Sequence, residues 1–271
     1  MNLSSATVAV VGVGGLGGAL VRGLQAGGLP PQRLVLCDAV AQKALNAGGE
    51  AVSVAADPAE AAAVGDVLVL CVKPPDVAGA LDRVATAIRP HAVVISAAAG
   101  VTLEKLRQSL GATGALVRAM PNVNVAVRAS MTALVADPSE PTEALRAAEW
   151  VFGHVGRTVR LPQEKLMDAA TSLAASGPAW VAAMLEALMD GGVLAGLPRT
   201  VAVDMALSMM EGTAKHLRDA AITPGALKDM VMSPGGTTAA GMLVLEQAGV
   251  RGALMATVQA AAERARLLGK G

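Results

Sequence analysis

Thr7-Val8-Ala9-Val10-Val11-Gly12-Val13-Gly14-Gly15-Leu16-Gly17 decides the fold of this chain. The apolar run from Thr7 to Val11 reads as a strand, and the Ala- and Leu-rich run from Gly14 to Ala26 as a helix. Between them stands G-x-G-x-x-G, in the strand–turn–helix setting that this fingerprint needs. Gly12 permits the tight turn, Gly14 lets backbone approach a pyrophosphate, and Gly17 permits close helix–strand packing. The phosphates would lie at the helix N-terminus, where free N–H groups and the macrodipole favour anions. Gly12, Val13, Gly14, Gly15, Leu16 and Gly17 are therefore candidate contacts of a dinucleotide.

Asp38 ends the second strand, 21 residues after Gly17. An acid there binds the ribose hydroxyls of NAD and repels a 2′-phosphate. No arginine follows it; the next residues are Ala39-Val40-Ala41-Gln42-Lys43. On these residues alone the cofactor is a nicotinamide dinucleotide, NADPH or NADH, with the acid favouring NADH.

Outward from this stretch, short β-branched runs alternate with Ala-rich helical ones. Strands are expected at Leu34 to Cys37, Val67 to Val72, Ala92 to Ser96, Leu116 to Ala119, Met131 to Val135 and Thr158 to Leu161. Helices are expected at Val40 to Ala47, Asp76 to Ile88, Leu103 to Leu110 and Thr142 to Phe152. Alternation of this kind predicts parallel pairing in a Rossmann-like, doubly wound α/β sheet.

After Pro162 the β-branched runs thin out. Helices are expected at Gln163 to Leu173, Pro178 to Gly191, Pro198 to Leu217, Pro224 to Met232, Thr238 to Gln247 and Arg251 to Leu268. Several carry proline in the first turn, where its missing N–H costs least. The expected organisation is an α/β domain over residues 1–162 and an all-helical domain over residues 163–271. The short, Ala- and Met-rich helices expose so much apolar face that a homodimer or higher homo-oligomer is expected. The stretch from Leu173 to Leu197 is interrupted by Glu186 and Asp190 and reads as a buried helix, not a membrane span.

Composition removes other classes. Of the 271 residues, 53% are hydrophobic and 16% charged, so there is ample apolar surface to offset ordering entropy. The aromatics are Trp150, Phe152 and Trp180, too few for stacking platforms on single-stranded nucleic acid. With 22 basic and 22 acidic residues, nearly balanced within each half, there is no basic surface for a phosphate backbone. Cys37 and Cys71 cannot build a disulfide framework or a four-ligand zinc site, and His91, His154 and His216 are scattered. The chain opens without a basic n-region. The expectation is a soluble cytoplasmic protein with no metal, nucleic-acid or membrane partner.

The helical half carries Lys228-Asp229-Met230-Val231-Met232-Ser233-Pro234-Gly235-Gly236-Thr237-Thr238, which resembles the K-D-x-V-x-S-P-G-G-x-T signature of the pyrroline-5-carboxylate reductase family. Further resemblances occur in the family's order. Val72-Lys73-Pro74 is similar to its V-K-P, and Ser96-Ala97-Ala98-Ala99-Gly100-Val101 to its I-S-x-x-A-G-V stretch. Arg118-Ala119-Met120-Pro121-Asn122 is similar to R-x-M-P-N, and Ala175-Ser176-Gly177-Pro178-Ala179-Trp180 to G-S-G-P-A-Y. The segment from Glu186 to Pro198 resembles E-A-L-x-D-x-G-V-x-x-G-L-P.

The resemblance implies hydride addition from the nicotinamide to C5 of the cyclic imine 1-pyrroline-5-carboxylate, giving L-proline in the last step of proline biosynthesis. It implies that Val72, Lys73, Pro74, Ala98, Ala99, Gly100, Met120, Pro121 and Asn122 line the cofactor. Ser233, Gly235, Gly236, Thr237 and Thr238 would cradle the substrate carboxylate as an anion nest at a helix start. Thr238 matches the position whose hydroxyl faces the ring nitrogen and is the candidate catalytic residue. A Thr hydroxyl is a poor acid, so catalysis would rest on positioning the nicotinamide against an already protonated imine.

The chain departs from the family in places. M-P-N-T-P becomes Met120-Pro121-Asn122-Val123-Asn124, Gly15 stands where many members have Asn, and Ala39 where a basic residue is usual. These departures leave open NADH preference and a related substrate such as a six-membered cyclic imino acid. A β-hydroxyacid dehydrogenase would need a lysine on the long helix, and Pro178 to Leu197 contains none. A dinucleotide binder without turnover is opposed by the intact Ser233–Thr238 segment.

Overall fold

The computed structural model describes residues 2–269. They divide into two compact units, one running to Ser176 and taking in the residues from Ala260 on, the other spanning Gly177–Gln259.

The first unit is built on an eight-stranded sheet in the order β3-β2-β1-β4-β5-β6-β7-β8. Its strands are β1 Val8–Val11, β2 Leu34–Cys37, β3 Ser53–Val54, β4 Val67–Leu70, β5 Val93–Ser96, β6 Ala115–Met120, β7 Ser130–Val135 and β8 Gly156–Arg160. Its helices are α1 Gly15–Ala26, α2 Ala41–Gly48, α3 Pro58–Val64, α4 Val77–Ala85, α5 Leu103–Leu110 and α6 Thr142–Gly153. β1 lies between β2 and β4, both parallel to it, so the chain reverses its winding direction there.

The central strands are buried along their whole length because both faces are covered. Val8, Val10, Leu34, Leu36, Val67 and Val69 pack with the side chains of α1, α2 and α6. Ala9, Val11, Val35, Leu68 and Leu70 pack on the opposite face with those of α3, α4 and α5. Capping side chains fix two of these helices locally. Asp57 accepts the Glu60 N–H ahead of Pro58, and Thr102 accepts the Lys105 N–H.

Three expectations need correction. The sheet is not parallel throughout: β6 and β7 run antiparallel. Their connection is residues 121–129, too short for the crossover of a dozen or more residues that parallel pairing requires. β3 and α3 are additions to the expected elements, since two residues leave no strand periodicity and the Ala-rich α3 is a single short apolar run. The helices expected from Gln163 and from Pro178 are also not separate. After α7 Met167–Ala170 a π turn, Thr171–Ser176, leads directly into α8 Gly177–Leu194.

The second unit holds α8, α9 Arg199–Asp219, α10 Pro224–Val231, α11 Thr237–Gln247 and the first part of α12 Val250–Leu268. α8 is not buried within one chain, contrary to expectation; none of its residues is buried. Met205, Met209, Met230, Leu243, Val244 and Met255 are exposed as well. The run Glu164–Leu194 is long and apolar enough, by length and composition, to cross a membrane.

One buried ion pair ties β6 to the entry of the helical run. Arg118, on β6, has a side chain only 4% exposed and donates from Nη1 to Glu164 Oε1 at 2.8 Å. The same oxygen accepts the Leu103 N–H at 2.7 Å, while Arg118 Nε is buried without a partner among the described residues. Removing one member of a buried pair strands the other charge. Glu164→Ala is therefore expected to lower the urea midpoint, at unchanged slope, by the equivalent of about 2–3 kcal/mol, at the low end of the buried range because Glu164 is partly solvated.

Candidate dinucleotide cleft and helix-start loop

The turn after β1 uses its glycines in two ways. Gly12 has φ +90°, and a Cβ there would lie 2.7 Å from Val72 N. A Cβ on Gly17 would lie 2.0 Å from Gly12 O and 3.1 Å from Cys71 Cβ. The protein itself demands glycine at both positions. Gly14 and Gly15 are different: a Cβ on either meets nothing within 4 Å. Both are exposed at the start of α1, where the first N–H groups have no partner within the helix. A pyrophosphate fits this space, and the bare backbone lets it reach the N–H groups. Val13 and Leu16 turn their side chains into the core.

Asp38 stands at the end of β2 as expected, yet its oxygens are in use within the chain. The Val13 N–H donates to Oδ2 at 2.7 Å and the Val40 N–H to Oδ1 at 2.9 Å. Lys43 Nζ is 3.9 Å from Oδ1.

Gly12, Gly14, Asp38, Val72 and Lys73 are brought together around a cleft of about 530 Å³ at the C-terminal ends of β1, β2 and β4. Open α/β sheets take ligands at this switch point. Sequence reading missed Lys43, Asp57 and Arg83 on its walls. Asp57 caps α3 and is held below the usual carboxylate range, first by the Glu60 N–H and then by the Arg83 guanidinium. Asp57 followed by Pro58 is the one signal that could have marked this wall, as a helix start. Cys37 and Cys71 also line the cleft. Burial pushes the Cys37 thiol up to about 11, with Asp57 and Asp38 adding to it, and the Cys71 thiol to about 12. Both are neutral thiols at physiological pH, not nucleophiles.

The other motif residues are not all in that cleft. Pro74, Ala99 and Gly100 line a separate cavity of about 580 Å³ together with Lys105 and Leu268. Ala98, Met120, Pro121 and Asn122 are buried. The Asn122 amide, expected to face the cofactor, is engaged inside the chain. Nδ2 donates to Ala174 O at 2.9 Å and Oδ1 accepts the Asn124 N–H at 3.0 Å. Ala174 lies in the π turn, and the residue four positions on, Pro178, has no N–H to offer its carbonyl.

In the helical unit, Ser233–Gly236 form a turn closed by the Gly236 N–H on Ser233 O at 3.0 Å. Gly235 has φ +70°, and a Cβ on Gly236 would lie 2.4 Å from Ser233 Oγ. α11 begins at Thr237 with Gly236 as its N-cap and no side-chain cap. Its first internal bond is Ala240 N–H to Gly236 O. The N–H groups of Thr237, Thr238 and Ala239 thus stand at the positive helix end with the Ser233 and Thr237 hydroxyls nearby in sequence. This is an anion-binding geometry made by backbone.

A winding reversal at β1, a glycine turn open to an anion and an added helical unit define a dinucleotide-binding α/β protein. Comparison with known families narrows this class. Residues 164–268 match the family described as "Pyrroline-5-carboxylate reductase dimerisation". Residues 7–100 match "NADP oxidoreductase coenzyme F420-dependent". The pyrroline-5-carboxylate reductase of Synechocystis is 46% identical, covering 81% of each chain. That of Methanosarcina acetivorans is 36% identical over 97% of this chain and 98% of its own. The crystal structure of the Plasmodium falciparum enzyme with NADP bound superposes with a TM-score of 0.86 at 25% identity, covering 97% of this chain and 98% of that one. The chain belongs to the pyrroline-5-carboxylate reductase family.

The two kinds of glycine separate by mutation. Gly17→Ala is expected to cost upward of about 2 kcal/mol, read as a fall in Tm, because backbone and helix must part. Gly14→Ala is expected to leave stability within about 0.5 kcal/mol while weakening dinucleotide binding about tenfold or more, read by titration calorimetry. Equal effects at the two positions would contradict this division.

Proposed function

We propose that this chain reduces 1-pyrroline-5-carboxylate to L-proline with NADPH or NADH. The observation that carries the reading is the turn from Ser233 to Thr238, glycine-built and opening α11, in a chain related along its length to such reductases. We take residues 1–162 as the part that holds the cofactor and residues 163–271 as the part that binds substrate and a second subunit.

The bound nicotinamide supplies a hydride for C5 of the cyclic imine. The Gly12–Gly17 turn holds the pyrophosphate on the α1 N-terminus. Ser233, Gly235, Gly236 and Thr237 cradle the substrate carboxylate, whose charge suits the N–H groups that begin α11. Thr238 keeps its hydroxyl toward the ring nitrogen and orients the imine. Its role is to position, because a hydroxyl is a weak acid and the imine is basic enough to carry its own proton. Asn122 and Met120 shape the nicotinamide side from beneath, through their packing against the π turn and Met167.

Oxidation of NADH and NADPH by 1-pyrroline-5-carboxylate, followed by nicotinamide absorbance, tests the reading directly. Consumption is expected; its absence with both cofactors rejects the substrate. Thr238→Ala is expected to lower kcat about tenfold to a hundredfold with dinucleotide binding intact, the worth of one hydrogen bond to a charged partner. Gly236→Ala should raise KM, since its Cβ displaces Ser233 Oγ.

The apolar face of α8, α9 and α11 supports a homodimer or larger assembly, with a second copy covering the side chains that one chain leaves exposed. Light scattering is expected to give at least twice the 27.0 kDa chain mass. Met205→Asp with Leu243→Asp should reduce it toward a single chain. A monomeric wild type would reject the assembly.

A further inference from the structure

We propose that the last turn of α12, with Gly269 after it, is a brace for the connection between β5 and α5, and that Leu268 and Gly269 position residues 98–100 for the nicotinamide half of a bound dinucleotide. This rests on the dinucleotide reading above. It extends that reading to the end of the chain, which is otherwise assigned to substrate and assembly.

β5 lies next to β4, and Cys71, Val72 and Lys73 at the end of β4 line the dinucleotide cleft. The chain leaving β5 stays beside them, because the Ala97 N–H donates to Leu70 O at 2.9 Å. A dinucleotide straddles the switch point, with its pyrophosphate on the turn after β1 and its adenosine ribose at the end of β2. Its other half extends over β4 toward β5, and the β5–α5 connection is the next rim that it reaches.

Both ends of this connection are anchored. Ser96 Oγ accepts the Ala98 N–H at 3.4 Å. Thr102 caps α5, and Glu164 Oε1 accepts the Leu103 N–H at 2.7 Å. Between these anchors the chain turns at Gly100, where φ is +76°. That turn meets the end of α12, whose residues from Ala260 on belong to the same compact unit. A Cβ on Gly100 would lie 3.5 Å from the Leu268 carbonyl carbon, and a Cβ on Gly269 would lie 3.2 Å from Gly100 O. Two backbones touch here with no side chain between them. Lys105, in the first turn of α5, donates from Nζ to Gly269 O at 3.4 Å and places a cation at the negative end of α12.

The contact does little for the core. Leu267 and Leu268 are both exposed, so the turn docks through backbone and not through a buried apolar anchor. Its effect falls on the shape of residues 98–100, which it holds from one side. Without it, the turn at Gly100 must be ordered when ligand arrives, and that cost appears as lost affinity.

Titration calorimetry tests the brace without relying on turnover. Four ligands form two pairs: NADPH with 2′-phospho-ADP-ribose, and NADH with ADP-ribose, the second of each lacking the nicotinamide. A chain ending at Arg266 is expected to bind the preferred dinucleotide about fivefold or more weaker than the full chain does, and its nicotinamide-free counterpart within about twofold. Gly269→Val keeps the chain length and should act in the same way, because its side chain displaces the Gly100 carbonyl. Equal weakening of both members of a pair would mark a general loosening of the fold and overturn the proposal. So would dinucleotide binding unchanged in both variants. If the shortened chain does not fold, Gly269→Val decides. Failure of all four ligands to bind the full-length protein would reject the dinucleotide reading, and the brace with it.

Discussion

Helix α1 lies so close to the end of β1 that a Cβ on Gly17 would stand 2.0 Å from the Gly12 carbonyl oxygen. That approach constrains the backbone on either side of it. It requires Gly12 to turn with positive φ, which brings its Cα against the backbone of Val72 beyond β4. The ends of β1 and β4 and the start of α1 become one rigid corner. It is anchored by strands buried on both faces and by Leu20, Val21 and Leu24 of α1 within the core. A corner set by hard contacts costs no ordering when an anion binds. The fold supplies a preformed site, not one that the ligand must assemble.

The helical unit reaches a similar result by a different route. α10 precedes α11, and a turn closed on Ser233 O joins them, with a Cβ on Gly236 set to turn the Ser233 hydroxyl aside. Two helix N-termini, each freed of side chains by glycine, offer backbone N–H groups to anions. One is suited to a pyrophosphate and the other to a small carboxylate. Neither helix start depends on an excess of basic residues, and the formal net charge of the chain is zero.

Much of this was legible because glycine spacing and β-branched runs report local backbone demands. The turn after β1, every strand of the sheet except β3 and the position of α11 could be read from residues adjacent in sequence. What escaped depends on partners distant in sequence. Asp38 was legible as the acid ending β2, but its bonds to the Val13 and Val40 amides were not, because they depend on its rotamer. The antiparallel direction of β7 escaped because it depends on connection length, and residues 121–129 read simply as a loop. α8 has the composition of a core helix, yet one chain leaves it uncovered. Composition records that a face is to be covered, not whether the same chain covers it.

Asn122 illustrates the limit most sharply. In sequence it belongs with Met120 and Pro121, and Pro178 belongs with Ser176 and Gly177, as two separate strings. In the structure they answer one another through a single atom. Proline at 178 withdraws the N–H that would have bonded the Ala174 carbonyl, and the Asn122 amide supplies the donor at 2.9 Å. The π turn from Thr171 to Ser176 persists in place of regular α-helix, with this carbonyl satisfied from outside the helix. A residue can therefore match a site motif and still act one layer back, by fixing the backbone on which the site is built. Asp38, on the other side of β1, likewise accepts the Val13 and Val40 N–H groups and so holds backbone beside the glycine turn. In both cases the polar side chain stabilises a backbone shape that an apolar residue could not.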